Sequence, residues 1–153
     1  MVSRMDELKK IRVIVTIDGN IPSRFAHSFN SMKTAQGYFD LGLNVEIVTL
    51  LSYPNIKEAI KVKSIHNHYG INSQIPITRI PVFNRDFFRK AIHACNYNQK
   101  AALYIAKQKP DFVHGRSFMT PYYCIQKNIP SIVETHSTNY KHEGLHKIYK
   151  LNE

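Results

Sequence analysis

The sequence predicts an α/β fold: an open, mainly parallel sheet with helices on both faces. Short β-branched runs alternate about five times with stretches whose apolar residues recur every three or four positions. The connections between these segments are short, which is typical of doubly wound sheets. At 153 residues and 43% hydrophobic content, the chain has the size and composition of one globular domain.

The first part of the chain predicts a strand, a helix and a second strand. Residues 11–17 form a β-branched run, and the residues that follow, 18–20, favour a turn. A helix is expected next, with an apolar stripe formed by Phe25, Phe29, Met32, Ala35 and Phe39. Gly42 supplies a stop for this helix. Residues 45–51 form the second strand, which a right-handed crossover would place parallel to the first.

The middle of the chain is less regular. Residues 53–69 have a proline at their second position and carry several charges, and their periodicity leaves a short helix and a surface excursion both open. Residues 77–82 predict a short strand. Residues 86–109 predict the longest helix, which Pro110 ends because proline cannot continue the hydrogen-bond ladder.

The last part completes the alternation. Residues 111–114 predict a strand of minimal length. Thr120 and Pro121 are typical of an N-cap followed by the first helical position, which predicts a helix to about residue 127. Residues 131–135 predict a final strand. The pattern as a whole indicates a Rossmann-like sheet.

Three segments are expected: a charged extension over residues 1–10, a Rossmann-like domain over 11–138, and an amphipathic helical segment over 139–153. The first ten residues lack the apolar region of a secretory signal, and no apolar run reaches the roughly 20 residues of a membrane span. The sequence therefore predicts a cytoplasmic protein.

The formal net charge of +10 favours anionic partners, such as nucleotide phosphates or peripheral contact with an anionic membrane surface. The basic residues are scattered, which is also typical of plain solvated charge. They lack the aromatic interleaving of an RNA-binding sheet, so the sequence disfavours nucleic acid.

Neither the cysteines nor the histidines predict a redox or metal site. Cys95 and Cys124 lie in predicted helices without CxxC or zinc-type spacing, so inert buried thiols are expected. A helix after residue 139 would bring His136, His142 and His146 near each other. However, no H-E-x-x-H sequence or acidic third ligand accompanies them, and no metal is expected.

The candidate ligand contacts follow the predicted strands, because ligands of open α/β sheets bind beyond the carboxyl ends of the strands. Gly19 would let a phosphate approach the backbone, although it is equally explained as a turn glycine. Arg116 offers a planar two-pronged contact to phosphate or carboxylate. Glu134 and His136 would position or protonate a sugar hydroxyl or leaving group. The remaining candidates are polar neighbours in the same loops: Asn20, Ser23, His27 and Ser117.

Three stretches together resemble the retaining, nucleotide-sugar-dependent glycosyltransferases of the GT-B fold, family four. They are residues 20–42, with Asn20-Ile21-Pro22-Ser23 and Ala26-His27-Ser28; residues 109–117, with Pro110-Asp111 and Arg116-Ser117; and residues 129–136, ending on Glu134-Thr135-His136. They span about five-sixths of the chain, and the match is one of order and spacing rather than identity.

The resemblance implies the amino-terminal, acceptor-side half of a two-domain enzyme. It implies that Gly19 lies near the donor diphosphate and that His136 contacts the transferred sugar. The first loop has one glycine where many members have two, and the second domain with its E-x7-E motif has no counterpart before Glu153. The parent enzyme would move sugar from a nucleotide diphosphate donor to a glycan or lipid-linked acceptor, without a metal or other resident cofactor.

The sequence thus leads to three functional hypotheses. The first is the glycosyltransferase half, inactive alone and inclined to dimerise through its uncovered cleft face or to pair with a missing carboxyl-terminal domain. The second is a stand-alone Rossmann-like module for an anionic ligand or partner. The third is a basic nucleic-acid-binding protein.

Overall fold

The computed structural model describes residues 4–23, 25–52, 64–82 and 90–134. In chain order the elements are α1 (Arg4–Leu8), β1 (Arg12–Asn20), α2 (Ala26–Asp40), β2 (Asn44–Ser52), α3 (Ile65–Tyr69), β3 (Ile77–Val82), α4 (Lys90–Gln108), β4 (Phe112–Gly115), α5 (Met119–Ile125) and β5 (Ser131–Val133). None of these helices is long and apolar enough to span a membrane.

The sheet has five strands in the order β3-β2-β1-β4-β5, and every pairing is parallel. This confirms the predicted α/β class. Because β1 lies at the centre between β2 and β4, its carboxyl end is flanked by theirs, and β5 lies next to β4. The loops that the sequence singled out therefore leave adjacent strands at one edge of the sheet.

Helices cover both faces, as expected, because each strand buries alternate residues on opposite sides. On one face, Val13 and Ile17 of β1 pack with Met32 of α2 and Tyr69 of α3. On the other face, Ile14 packs against α4 and α5 in a core formed with Val48, Tyr97, Ala101, Ala102, Ile105, Val113 and Cys124. Burial raises the pKa of the Cys124 thiol to about 12, so this thiol stays protonated at neutral pH.

The predicted stop of α2 is confirmed, whereas the predicted apolar stripe is confirmed only in part. Gly42 has a φ of +89°, and its N–H donates to the carbonyl of Phe39 at 2.9 Å. Phe25 is the N-cap rather than part of the buried stripe, and 70% of its surface is exposed. The stripe is carried by Met32 and Ala35, which are fully buried.

The irregular stretch before β3 contains a helix in its described part, whereas residues 53–63 lie outside the described residues. In α3, the side chain of Ser64 accepts a hydrogen bond from the N–H of Asn67, and Gly70 ends the helix with a φ of 59°. Sequence periodicity left this helix open because it has only five residues, too few for a recurring apolar pattern.

The predicted N-cap of α5 is wrong. The helix begins at Met119 with Phe118 as its N-cap, so Thr120 and Pro121 lie within its first turn. The Thr120 hydroxyl contacts Asp18 and Asn98 instead of the helix backbone. Beyond β5, the structure describes Glu134 but not Thr135 or the residues after it.

Candidate functional site

The end of β1 contains a bulge at Asp18 and Gly19. The sequence predicted a turn after residue 17, but β1 continues to Asn20, which pairs with Leu50 of β2. The register slips between Ile17 and Asn20, so Asp18 and Gly19 bulge out of the ladder. The Thr49 hydroxyl holds this bulge by donating to the Gly19 carbonyl at 2.8 Å. Bulges of this kind redirect side chains next to functional sites.

Gly19 lies against the start of α2. A Cβ atom built at Gly19 would lie 3.3 Å from Nε2 of His27, so the two predicted candidates are brought together. The His27 ring is exposed and stacks on Phe25 with 5.6 Å between ring centroids. A side chain at position 19 would displace His27 rather than backbone, so the glycine is favoured here for access more than for conformation.

Ser23 is tied to the scaffold. Its hydroxyl accepts a hydrogen bond from the Phe25 N–H at 3.1 Å, which fixes the turn before α2 rather than capping the helix. The Tyr69 hydroxyl accepts from the Ser23 N–H at 2.6 Å and donates to the Ser23 carbonyl at 3.1 Å. These hydrogen bonds attach the loop at Ser23 to α3, which gives Ser23 a structural role.

Asp18 is a buried carboxyl group that the sequence did not single out. Its Oδ1 lies 2.9 Å from the Thr120 hydroxyl, which also lies 2.8 Å from Oδ1 of Asn98. A hydroxyl has one proton and can donate to only one of these oxygens. Either the Asn98 amide presents its nitrogen to Thr120, or Asp18 itself carries a proton. Burial raises the pKa of Asp18, and hydrogen bonds from Ser117 and Thr120 offset this only in part.

His114 forms a second polar group on the α2 side of the sheet. Its Nδ1 lies 2.9 Å from the Tyr38 hydroxyl, and its Nε2 lies 4.0 Å from Oε2 of Glu134. Burial lowers the pKa of His114; Glu134 opposes this shift and the positive charge of Arg116 adds to it. The ring is therefore neutral at physiological pH, which leaves Arg116 as the positive charge beside Glu134.

Arg116 follows β4 directly, and 12% of its side chain is exposed. Its Nε lies 3.4 Å from Oε1 of Glu134, too poorly aligned for a hydrogen bond. Nε and Nη1 are both buried, and neither has a hydrogen-bond partner among the described residues. A buried donor without an acceptor costs about 1–3 kcal/mol, and more when it is charged.

The backbone keeps Arg116 and Glu134 together. The Glu134 N–H donates to the Gly115 carbonyl at 2.9 Å, which continues the pairing of β4 and β5 one residue beyond the end of β5. Gly115 is needed for close approach, because a Cβ there would lie 2.6 Å from the Thr16 hydroxyl and 2.7 Å from Cγ of Pro121.

The structure thus brings together most, but not all, of the predicted site residues. Arg116 lies beside Glu134, Ser117 lies beside Asp18, and Gly19 and Asn20 form the adjoining end of β1 with His27. The predicted catalytic residue His136 lies outside the described residues, as do His142 and His146.

Sequence reasoning missed several polar groups of this edge: Asp18, Tyr38, Asn98, His114 and Thr120. An acid at the end of an otherwise apolar strand was a usable signal for Asp18, as was an imidazole one residue before the end of β4 for His114. Within the described residues, no group of three His, Cys, Asp or Glu side chains is arranged to hold a metal ion.

Chemically, this edge offers a buried guanidinium, a half-exposed carboxylate and a protonation-sensitive carboxyl group within neighbouring loops. A guanidinium suits phosphate or carboxylate oxygens, and a carboxylate such as Glu134 suits hydroxyl donors. A scan against models of known protein families found no match, and a search of curated proteins found no significantly similar sequence.

Proposed function

We propose that this chain is the acceptor-side, Rossmann-like half of a nucleotide-sugar-dependent glycosyltransferase. The observation that carries the proposal is the convergence, at one sheet edge, of residues at the end of β1 and just after β4 and β5. Gly19 and Asn20, Arg116 and Ser117, and Glu134 all lie there because β1, β4 and β5 are adjacent and parallel. Ligands of open α/β sheets bind at this edge.

Two further features support a sugar-containing ligand. The Glu134 side chain is 37% exposed, so it is available to accept hydrogen bonds from hydroxyl groups of an acceptor. The aromatic rings of Phe25 and His27 are stacked and exposed beside Gly19. Such a surface offers apolar contact to one face of a ring, which aromatic side chains commonly provide in binding sites.

Transfer itself requires a second wall, which positions the donor. In the proposed enzyme that wall is a second Rossmann-like domain with the nucleotide site. The donor is a nucleotide diphosphate sugar, and the acceptor is a glycan or a lipid-linked sugar. Basic side chains and backbone N–H groups, rather than a metal ion or other cofactor, would balance the diphosphate charge.

The acceptor role is tested by ligand-observed NMR on the 153-residue chain. Saturation transfer is measured to a panel of neutral mono- and oligosaccharides, for wild type and for Glu134→Gln. We expect transfer to a subset of sugars, weakened about fivefold or more in the variant because a charge-assisted hydrogen bond is replaced by a neutral one. Glu7→Gln, which removes the same charge at an exposed position of α1, is the matched control and should bind as wild type does.

The same protein tests the two-domain requirement. Incubated with nucleotide sugars and any acceptor that binds, the chain should give no transfer above the uncatalysed rate, because half of a cleft cannot position the donor. Absence of saturation transfer to every sugar would overturn the acceptor assignment. Robust turnover would overturn the two-domain one.

A stand-alone module for an anionic ligand is the second candidate, favoured by the buried guanidinium of Arg116. The two candidates differ in their ligands. A module of this kind would bind anions and ignore neutral sugars, whereas an acceptor domain binds neutral sugars at Glu134.

A further inference from the structure

We propose that Arg116 is the centre of an anion subsite that takes a phosphate group or a carboxylate at the carboxyl ends of β4 and β5. The proposal deepens the proposed function and rests on it for the view that this edge faces a ligand. The observation that carries it is the guanidinium itself, whose Nε and Nη1 atoms are buried without a hydrogen-bond partner among the described residues.

The counter-charge beside the Arg116 guanidinium is the Glu134 carboxylate. Oε1 of Glu134 lies 3.4 Å from Nε but does not form a hydrogen bond with it, and Oε2 of Glu134 lies 4.0 Å from the His114 ring. Glu134 is also partly in solvent, which screens its charge. Glu134 therefore flanks the Nε side of the guanidinium and leaves the terminal Nη1 side without an acceptor.

The geometry and charge of a guanidinium limit which acceptors would suit Arg116. A guanidinium has five N–H donors in one plane and no acceptor, and it stays protonated at all relevant pH values. The ligands that match it have two oxygens with a similar spacing, which are found in phosphate groups and carboxylates. A neutral hydroxyl would supply one oxygen and no charge, so it would leave the buried cation poorly compensated.

Arg116 is held in place by the paired backbone at the end of β4. It follows β4 directly, and the adjoining Gly115 carbonyl is fixed by the Glu134 N–H at 2.9 Å. Only 12% of the side chain is exposed, so packing restricts the guanidinium before any anion binds. A donor that is fixed before binding loses little rotamer freedom when the anion arrives.

The experiment titrates the folded 153-residue chain with inorganic phosphate, pyrophosphate and glucuronate at constant ionic strength. Calorimetry measures the affinity of wild type, Arg116→Gln, Arg116→Lys and Lys107→Gln. Arg116→Gln should weaken binding about tenfold or more, since hydrogen bonds to charged groups are the strong ones. Arg116→Lys should recover part of the affinity, because it restores the charge without the planar fork.

Lys107→Gln removes the same charge from the far end of α4 and should leave the affinity unchanged. Equal affinity in all four proteins would overturn the proposal, since it would show that anions sense only the net charge. A measurement on wild type alone guards against misfolding of the variants: the Arg116 Nε–H resonance should move in NMR spectra during titration. A resonance that stays fixed at saturating anion means that the group is satisfied by water, and the subsite does not exist.

These experiments distinguish a phosphate from a carboxylate ligand, and they distinguish the anion subsite from the glycosyltransferase proposal. A larger loss of phosphate affinity than of glucuronate affinity in Arg116→Gln identifies a phosphate subsite, and the reverse identifies a carboxylate subsite. Binding of anions through Arg116 without saturation transfer to neutral sugars would remove the glycosyltransferase proposal and leave the subsite standing. Sugar binding that depends on Glu134, with anion binding indifferent to Arg116, would do the opposite.

Discussion

Asp18 is a single residue whose burial has a measurable consequence for stability. Its carboxyl group lies at the bulge of β1, where desolvation raises its pKa above the ordinary 3.8. Asp18→Asn keeps the shape of the side chain and an oxygen for the Thr120 hydroxyl, and it removes the ionisation. We expect the variant to unfold a few degrees higher than wild type at neutral pH. Folded wild type must there either bury a charge or keep a proton that the unfolded chain has lost, and the amide does neither.

The pH dependence gives the sign of this effect. Below about pH 4, Asp18 is protonated in both the folded and the unfolded chain and contributes no difference. As pH rises, the unfolded chain loses this proton first, so wild-type stability falls until the raised folded pKa is passed. The advantage of Asp18→Asn should therefore grow from acid to neutral pH in urea unfolding. An advantage that is constant across this range would contradict a raised pKa.

Gly115 and Gly37 form a matched pair of glycines for a second prediction. Gly115→Ala would place a methyl group 2.6 Å from the Thr16 hydroxyl and 2.7 Å from Cγ of Pro121, so β1 and α5 must each shift away from β4. Overpacking of this kind costs about 1–3 kcal/mol. Gly37→Ala, within α2, meets nothing within 4 Å and should stabilise by about 0.5–1 kcal/mol.

Chemical denaturation measures both variants. Both substitutions add one methyl group. Changes of opposite sign in the free energy of unfolding would therefore show that the room around each glycine decides the outcome. Gly115→Ala as stable as wild type would contradict a close approach of Gly115 to Pro121.

At the scale of elements, a polar network joins four of them at the amino end of the sheet. Glu46 of β2 is 7% exposed in its side chain and lies 3.1 Å from Arg12 of β1. It also accepts hydrogen bonds from the hydroxyls of Thr78 of β3, at 2.7 Å, and Tyr104 of α4, at 2.6 Å. A buried carboxylate is tolerated within an apolar strand because all of these partners are in place.

Tyr104→Phe tests this network. It removes one donor from a buried carboxylate and is expected to lower the free energy of unfolding by about 1.5–3 kcal/mol. Tyr123→Phe is the control, because the Tyr123 hydroxyl accepts a long, 3.4 Å hydrogen bond from Gln99 near the surface. Its effect should stay within about 0.5 kcal/mol. Equal effects of both substitutions in urea unfolding would mean that Glu46 is satisfied without Tyr104.

The elements also show where local sequence signals are sufficient. Periodicity predicted α2 and its flanking strands, and Gly42 ends α2 through a bond made within the same segment. The prediction of Thr120 as an N-cap was wrong because its hydroxyl contacts Asp18, which is 102 positions away. A cap preference describes only neighbours in sequence. The bulge of β1 was missed for the same reason, since the side chain that holds it belongs to Thr49.

At the scale of the whole molecule, the strand order explains how the site was anticipated in part. Parallel strands share one carboxyl edge, so the loops that contain Gly19, Arg116 and Glu134 were expected to meet before any contact was known. The perturbed carboxyl of Asp18 and imidazole of His114 could not be predicted in this way. Their pKa shifts arise from burial beneath helices, which sequence spacing does not reveal.

The net charge of +10 gives the last prediction, because it is a property of the whole molecule and not of one site. Scattered positive charge should bind single-stranded DNA weakly at low salt and lose it steeply by about 200 mM salt, as counterions compete. Fluorescence anisotropy measures this. Arg116→Gln and Lys107→Gln each remove one charge, so they should weaken this binding equally, in contrast to their different effects on pyrophosphate. Affinity that survives at physiological salt and depends on nucleotide sequence would instead favour a nucleic-acid-binding protein, because scattered charge cannot read bases.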